Sequence, residues 1–272
     1  MKQVELHVHL DGSFDPSLLL SHLKETGHDC LPQETFCPWD QTTVPVRSAV
    51  EACENDEAFQ SLCTCRGQRS LHSMLKCFTI FIPIVRGNLD LIERLAHDFV
   101  QRQALQNVIY TEVRYSPHLL AKEGDVSGTV RVDPIPVIDA VTRGLRRGEK
   151  EYGVKVNQIF CCIAWRPDWA KEVIELAHDR REDSPCAVVG VDVAAGEEHF
   201  DKVSLRFMMI MIVHVCNRIN EILASWTSLT CNFFSIAIHP GRIPSFTRPS
   251  LRSFSSCTRT ESKHHHPCWG GR

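Results

Sequence analysis

The chain alternates between short apolar segments and longer segments in which apolar positions recur at helical spacing. Apolar segments of strand length lie at about 4–10, 108–114, 156–163 and 187–193. Helical spacing predicts helices over about 16–25, 70–84, 88–106, 134–152 and 168–180. Strands that are separated by single helices pair in parallel through right-handed crossovers. The pattern therefore predicts an α/β fold with about four βα units, half of the eight in a (β/α)8 TIM-type barrel.

Residues at helix boundaries support two of these helices. Asp15 precedes the helix that begins at Pro16, and an aspartate at this position accepts hydrogen bonds from the first free N–H groups. Gly153 follows the helix at 134–152, where a glycine tolerates the left-handed conformation that ends many helices. Both helices are therefore bounded by local signals as well as by apolar periodicity.

Two segments do not follow the βα pattern. Residues 31–69 contain several prolines and cysteines and predict an irregular insertion, with a helix over about 49–62. Residues 202–272 begin with an apolar stretch and continue as a Ser/Thr/Arg-rich segment with little periodicity. We therefore expect a folded region over residues 1–201 and an irregular C-terminal tail over residues 202–272.

The charge distribution changes at the same point. Residues 1–201 hold 21 Lys and Arg against 31 Asp and Glu, whereas residues 202–272 hold 9 against 2. The tail is therefore either a basic interaction arm or sequence that was never selected to complete a fold. Its arginines are not interleaved with an aromatic-rich motif, so no nucleic-acid partner is expected.

The composition indicates a globular protein of the cytoplasm. Hydrophobic residues make up 43% of the chain and charged residues 23%, which is ordinary for such proteins. No secretory signal is visible at the N-terminus, and the most apolar run, 207–213, is too short to span a bilayer. The thirteen cysteines show no regular spacing, so we expect reduced thiols.

The first predicted strand carries the clearest candidate chemistry. His7 and His9 are two positions apart, and because side chains alternate along a strand, both imidazoles point to the same side. Two neutral imidazoles in this arrangement form half of a zinc site. A buried strand with two polar inward residues is the alternative reading of a bare His-x-His pair.

Two longer strings surround the first and second predicted strands: VELHVHLDG at 4–12 and EVRYSPHLLA at 112–121. Both strings resemble the adenosine deaminase family. Weaker similarities to the third and fourth barrel strands of that family lie at 152–156, 159–162 and 188–194. The resemblance covers about residues 3–30 and 70–200, which makes residues 1–201 similar to the N-terminal half of that barrel.

The resemblance implies zinc-dependent hydrolytic deamination of adenosine and 2′-deoxyadenosine to inosine and deoxyinosine. It implies that His7 and His9 bind one Zn²⁺ per chain, that His9 also borders the substrate, and that Asp11 accepts a hydrogen bond from the ribose 5′-hydroxyl. A backbone group beside a glycine contacts the purine in the family, and here either Ala195 replaces that glycine or Gly196 serves after a one-residue shift. Gly196 is the preferred candidate. A membrane partner is left open.

Other positions match the family pattern with less specific roles. Met74 and Phe78 fall on the helix that gates the pocket in the family, although plain helix packing explains them equally well. Glu112 and Arg114 share one face of the second strand and predict a structural ion pair among barrel residues. His118 is expected at the surface. The segment 164–167 departs from the family because it lacks the Arg-His pair that usually precedes the proline.

Several catalytic motifs of the family do not occur in this sequence. The chain contains no His-Ala-Gly-Glu, no Gly-His-Gly and no Asp-Asp string. The general acid and the remaining metal ligands of the family are therefore not identifiable, and we expect this polypeptide to be inactive as a deaminase. The tail histidines and Cys268, together with Cys63 and Cys65, are an alternative set of metal ligands, but adjacent histidines do not readily face one ion.

Overall fold

The computed structural model describes residues 1–38, 41–65, 71–122, 132–195, 229–232 and 235–238. The strands are β1 (Gln3–His9), β2 (Glu34–Cys37), β3 (Thr42–Pro45), β4 (Val108–Tyr115), β5 (Lys155–Ile163), β6 (Val188–Ala194), β7 (Leu229–Asn232) and β8 (Ser235–Ile238). The helices are α1 (Pro16–Thr26), α2 (Arg47–Glu51), α3 (Asp56–Cys63), α4 (Leu71–Val85), α5 (Leu89–Leu105), α6 (Pro117–Leu120), α7 (Ile135–Tyr152) and α8 (Ala170–Asp179).

The four predicted strands form one parallel sheet in the order β1-β4-β5-β6. Long helices connect these strands, as expected when each crossover returns the chain to the same end of the sheet. The predicted α/β half-barrel of about four βα units is therefore confirmed. Its strand and helix boundaries agree with the predicted ones to within about two residues.

The described part of the tail extends this sheet. Strand β8 pairs antiparallel with β6, and β7 pairs antiparallel with β8. Each of these strands has only four residues, which is too short for an alternating side-chain pattern to stand out in the sequence. The remaining tail residues lie outside the described part of the chain.

Helix boundaries follow the expected local chemistry. The Asp15 carboxylate accepts a hydrogen bond from the backbone N–H of Ser17 at 2.8 Å, which confirms the predicted N-cap of α1. Gly153 ends α7 with φ +71°, in the left-handed region that glycine tolerates. The capping residue of α5 is Asn88, whose side chain accepts from the N–H of Leu91 at 3.0 Å.

The insertion at 31–69 is more regular than its composition indicates. Strands β2 and β3 form an antiparallel hairpin that was not predicted. The single helix predicted over about 49–62 is wrong, since α2 ends at Glu51 and α3 begins at Asp56. Asn55 separates the two helices because its side chain accepts from the N–H of Ala58, which starts a new helix.

The hydrophobic core lies between the outer face of the sheet and the helices that follow its strands. Phe99 on α5, Leu145 on α7 and Phe160 on β5 are all fully buried there. The opposite face of the sheet carries the polar side chains of β1, β4 and β6 and is covered partly by α4 and the insertion. In the described residues, no helix has both the length and the apolar character needed to cross a membrane.

Helices α5 and α7 pack closely because α7 presents glycines at the contact. A Cβ atom on Gly144 would collide with the backbone oxygen of Glu93 and lie 2.8 Å from the Cβ of Ala96. A Cβ atom on Gly148 would lie 2.6 Å from the Cβ of Val100. The two helix backbones therefore approach more closely than any larger residue at these positions would allow.

Candidate metal centre

The two histidines of β1 lie on one side of the sheet, as predicted. Their ring centroids are 5.7 Å apart, with His7 exposed to solvent and His9 partly buried. Both imidazoles face the cavity described below. The strand geometry therefore offers two nitrogen donors on the inner face near the C-terminal end of β1.

A buried carboxylate joins these two histidines. Ligand-type atoms of His7, His9 and Asp192 all lie within 4.8 Å of one another. Asp192 belongs to β6, three strands away from β1, a separation of about 14 Å in a flat sheet. Curvature of the sheet therefore brings the two strands' inward side chains together, which a strand pattern alone does not encode.

Asp192 was not predicted as a site residue. The available signal was a single acidic residue inside an otherwise apolar strand, since six of the seven residues of β6 are Val, Gly or Ala. An acidic side chain in such a strand needs a buried partner. Without knowledge of that partner, the sequence does not separate a structural aspartate from a functional one.

Arg114 is the buried partner of Asp192. Its Nη1 donates to Oδ2 of Asp192 at 2.8 Å, and both side chains are less than 5% exposed. Its Nη2 donates to the backbone oxygen of Leu6 at 2.9 Å, which links β4 to β1 as well as to β6. The predicted structural ion pair is confirmed for Arg114, whereas Glu112 accepts from the Tyr110 hydroxyl at 2.7 Å.

Asp11 follows β1 in a single turn of 3₁₀ helix and is buried. Its Oδ2 accepts from the backbone N–H of Ser116 at 3.1 Å, and its Oδ1 lies 3.5 Å from Nδ1 of His9. Ser116 follows β4, so this contact joins the C-terminal ends of two neighbouring strands. The Asp11 carboxylate is thereby held in a defined orientation beside His9.

The two histidines have opposite pKa shifts. Burial and the positive charge of Arg114 lower the pKa of His7 below its ordinary value. Burial also acts to lower the pKa of His9, but the neighbouring Asp11 carboxylate and the charge of Asp192 outweigh it, so the pKa of His9 is raised. As pH rises, His7 therefore loses its proton before His9 does and becomes available first as a nitrogen donor.

These histidines and Asp11 border a cavity of about 440 Å³. Met74 and Phe78 of α4 line it, as the family resemblance implies, and Phe78 also packs on Phe81 with ring centroids 4.8 Å apart. Phe78 thus both lines the cavity and packs within the helix layer, so its position agrees with a gating role and with plain helix packing. The hairpin of the insertion contributes Phe36 to the same wall.

Residues after the third and fourth barrel strands also reach the cavity. Trp165 lines it, so the divergent segment 164–167 lies at the site despite its departure from the family. Ala195 lines the cavity as well and has φ +79°, a conformation that favours glycine. Gly196 lies outside the described residues, and its purine contact stays a prediction.

His118 is buried, so its predicted surface position is wrong. Its side chain is 1% exposed, its Nε2 lies 3.0 Å from a carboxylate oxygen of Glu172, and its ring stacks on Trp169. The guanidinium of Arg166 covers the same Trp169 ring at 3.8 Å. Helix α8 supplies Glu172, so the burial of His118 depends on a helix more than fifty residues away in sequence.

The donor set at the strand ends fits a zinc ion. Zinc in proteins is bound by imidazole nitrogens, carboxylate oxygens and thiolates, and catalytic sites combine three protein ligands with an open position. His7, His9 and the nearby carboxylate offer two of these ligand types within reach of one ion. The alternative ligand Cys63 is less suited, since burial raises the pKa of its thiol to about 12.

The fold is half of an α/β barrel, and its candidate site residues lie at the C-terminal ends of the strands. That end of the sheet is where barrels of this class hold their active sites. A family model described as adenosine deaminase matches residues 2–209. The chain belongs to the adenosine deaminase family.

Individual relatives agree with this assignment. Adenosine deaminase from Xenopus laevis is 35% identical over 206 residues, which are 72% of this chain and 49% of the relative. Adenosine deaminase from Rattus norvegicus is 34% identical over 207 residues, which are 72% of this chain and 50% of the relative. The chain thus spans about half the length of the curated relatives it matches.

Solved structures support the fold. An adenine deaminase from Arthrobacter aurescens aligns with TM-score 0.54 at 15% identity, covering 78% of this chain and 54% of that one. An N6-mAMP deaminase from Arabidopsis aligns with TM-score 0.51 at 21% identity, covering 78% of this chain and 57% of that one. At these identities the alignments establish the barrel fold alone.

Proposed function

We propose that this chain carries the metal- and nucleoside-binding half of a zinc-dependent aminohydrolase. The reaction of that enzyme would be the hydrolytic deamination of adenosine and 2′-deoxyadenosine to inosine and deoxyinosine. One observation carries the proposal: His7, His9 and Asp11 meet at one end of a largely apolar cavity of about 440 Å³. Family membership and the names of the relatives support the choice of substrate.

In this proposal His7 and His9 hold the zinc ion, which when bound lowers the pKa of a water molecule toward neutrality. Asp11 Oδ2 is anchored by the N–H of Ser116, which leaves Oδ1 beside His9 to accept a hydrogen bond from a ribose hydroxyl. The same carboxylate orients the His9 imidazole, as second-sphere carboxylates commonly do for metal-binding histidines. The chain thus positions ion and nucleoside with one buried carboxylate.

The apolar wall would hold the purine and exclude water from it. Phe78, Trp165 and Ile82 present aromatic and aliphatic surface to the cavity. Burial of a flat heterocycle against such surface gives affinity, whereas Asp11 and the polar strand ends give orientation. Nucleoside binding is therefore expected to depend on both walls of the cavity.

A second candidate is a binding remnant without turnover, and one observation favours it. Among the described residues that line the cavity, Asp11 is the only carboxylate, and it already accepts from Ser116. A general acid contributes about 10²–10⁴-fold to such a reaction. On this reading the polypeptide by itself binds zinc and adenosine but does not release ammonia at a useful rate.

The test measures both steps on the same purified chain. Adenosine turnover is followed by the absorbance change on deamination, and adenosine binding is followed by calorimetry with and without zinc. His9→Ala is the site variant, and His28→Ala, which replaces a histidine that does not line the cavity, is the matched control. Adenosine turnover that is abolished by His9→Ala and retained by His28→Ala indicates a working deaminase. Zinc-dependent binding without turnover indicates the remnant, and the absence of both contradicts the proposal.

A further inference from the structure

We propose that Asp192 is a third protein ligand of the metal ion held by His7 and His9. This inference rests on the proposed function, because it assumes that the two histidines bind a metal. It assigns to β6 a role that neither the His-x-His pattern nor the family resemblance gave it. The described half of the barrel would then contain a three-ligand metal site of its own.

The positions of the three side chains suit a single ion. Their ligand-type atoms are all within 4.8 Å of one another. Two ligands of a tetrahedral zinc ion are about 3.3 Å apart, given zinc–nitrogen distances of about 2.0–2.1 Å. Small side-chain rotations therefore suffice to close the set, without movement of the strands.

Asp192 retains the capacity to bind an ion in spite of its existing contacts. An ionised carboxylate offers about four lone-pair positions. Oδ1 accepts from the backbone N–H of Val193 at 2.8 Å, and Oδ2 accepts from Arg114 at 2.8 Å. Each oxygen therefore keeps one lone pair, and the two existing contacts fix the direction in which it points.

Arg114 acts as the positioning residue for this site. Its guanidinium bonds to Asp192 on β6 and to the backbone oxygen of Leu6 on β1, so it holds the aspartate-bearing strand against the histidine-bearing strand. Its guanidinium also gives the buried Asp192 carboxylate a partner, where an unpaired carboxylate is costly. The arrangement resembles that of catalytic zinc sites with two histidines and one carboxylate, which leave a coordination position open.

The test titrates Co²⁺, and separately Zn²⁺, into the full chain and follows the cobalt absorption bands. All proteins carry the background substitution of the three tail histidines to alanine, which removes a competing group of ligands: His264→Ala, His265→Ala and His266→Ala. On this background Asp192→Asn is compared with Glu112→Gln, a carboxylate-to-amide control on the same face of the sheet. Metal dissociation constants are the readout, and activity is not used.

Asp192→Asn is expected to weaken metal binding more than about 100-fold, beyond the 10–100-fold typical of an outer-sphere partner. Glu112→Gln is expected to leave the dissociation constant within about threefold of the background value. A loss of metal affinity for Asp192→Asn of less than about 100-fold would overturn the assignment of a direct ligand.

A second variant reports ligation directly. Asp192→Cys places a thiol at the position, and a thiolate bound to Co²⁺ gives an intense near-ultraviolet charge-transfer band. Glu112→Cys is the matched control and is expected to add no such band above the background protein. If Asp192→Cys binds Co²⁺ without the band, position 192 is not a ligand and the inference is wrong.

The two proposals fail in different ways. If His7→Ala and His9→Ala leave metal binding unchanged, the proposed function loses its metal site. If those variants abolish binding while Asp192→Asn does not and Asp192→Cys gives no band, only the inference about Asp192 is refuted.

Discussion

Replacing Arg114 with methionine tests the contact that holds the site together. The guanidinium bridges β1, β4 and β6 through hydrogen bonds of 2.8 Å to Asp192 and 2.9 Å to the backbone oxygen of Leu6. Methionine has a similar length but neither charge nor donors. The variant therefore leaves the Asp192 carboxylate and a backbone oxygen without their buried partner.

The expected cost follows from this burial. Arg114 and Asp192 are each less than 5% exposed, so water does not replace the lost partner. Removing one member of a buried ion pair typically costs about 3–5 kcal/mol. Domains are stable by only about 5–15 kcal/mol, so Arg114→Met is expected to remove a large part of the folding free energy.

Urea denaturation at 25 °C, followed by circular dichroism, measures this free energy of unfolding. Arg143→Met is the matched control, because Arg143 pairs with Glu93 at 2.8 Å but is more than half exposed. Exposed pairs contribute about 0–1 kcal/mol, so this control is expected to change stability little. The double variant Arg114→Met/Asp192→Leu is expected to recover much of the loss, because no unpaired charge remains.

The reasoning is refuted if Arg114→Met costs less than about 1 kcal/mol, or if it costs no more than Arg143→Met. It is also refuted if the double variant is less stable than Arg114→Met. Either result would mean that the charge of Asp192 is not the quantity that Arg114 stabilises.

Three further predictions concern packing, pH and metal binding. Gly144→Ala is expected to lower the free energy of unfolding by about 1–3 kcal/mol, because the added Cβ meets the backbone of α5 and this outweighs the higher helix propensity of alanine. Urea denaturation measures this free energy. Lys150→Ala, at an exposed position of the same helix, is the control and is expected to show little change. Burial lowers the pKa of His118 against the opposing effect of Glu172, so its stabilising contribution is complete above the unfolded pKa of about 6.5 and is lost as pH falls through the lower folded pKa. His118→Gln is therefore expected to flatten the decline of thermal stability as pH falls below about 6.5, and an unchanged pH profile would contradict this origin. Zinc at 100 times its dissociation constant is expected to stabilise the chain by about 2.7 kcal/mol, measured as a rise in Tm, and equal stabilisation of His7→Ala would locate the ion elsewhere.

Local sequence features predicted much of the fold because their physical causes are local. The apolar positions of α5 and α7, the Asp15 cap and the left-handed Gly153 depend on neighbours within a few residues. The single helix predicted over about 49–62 was wrong even though the feature that divides it is also local. Asn55 divides α2 from α3 through one side-chain hydrogen bond, which a broad apolar pattern across 49–62 obscures.

The candidate site could be predicted only in part. His7, His9 and Asp11 are close in sequence, so the strand period and the family resemblance were enough to bring them together. His118 was misplaced because its burial depends on Glu172 and Trp169, which are supplied by a distant part of the chain. The residues around His118 in the sequence do not show that Glu172 contacts it, because this contact forms only when α8 packs against the sheet.

The sequence by itself determined the elements, their order and the two histidines on one face of β1, since these follow from side-chain periodicity and chain chirality. Only the tertiary structure decided that Asp192 faces those histidines and that Arg114 joins the two strands. Strands β1 and β6 are separated by two others, and the curvature of the whole sheet sets the distance between their side chains. That curvature is a collective property of strand twist and helix packing, which no short segment of sequence specifies.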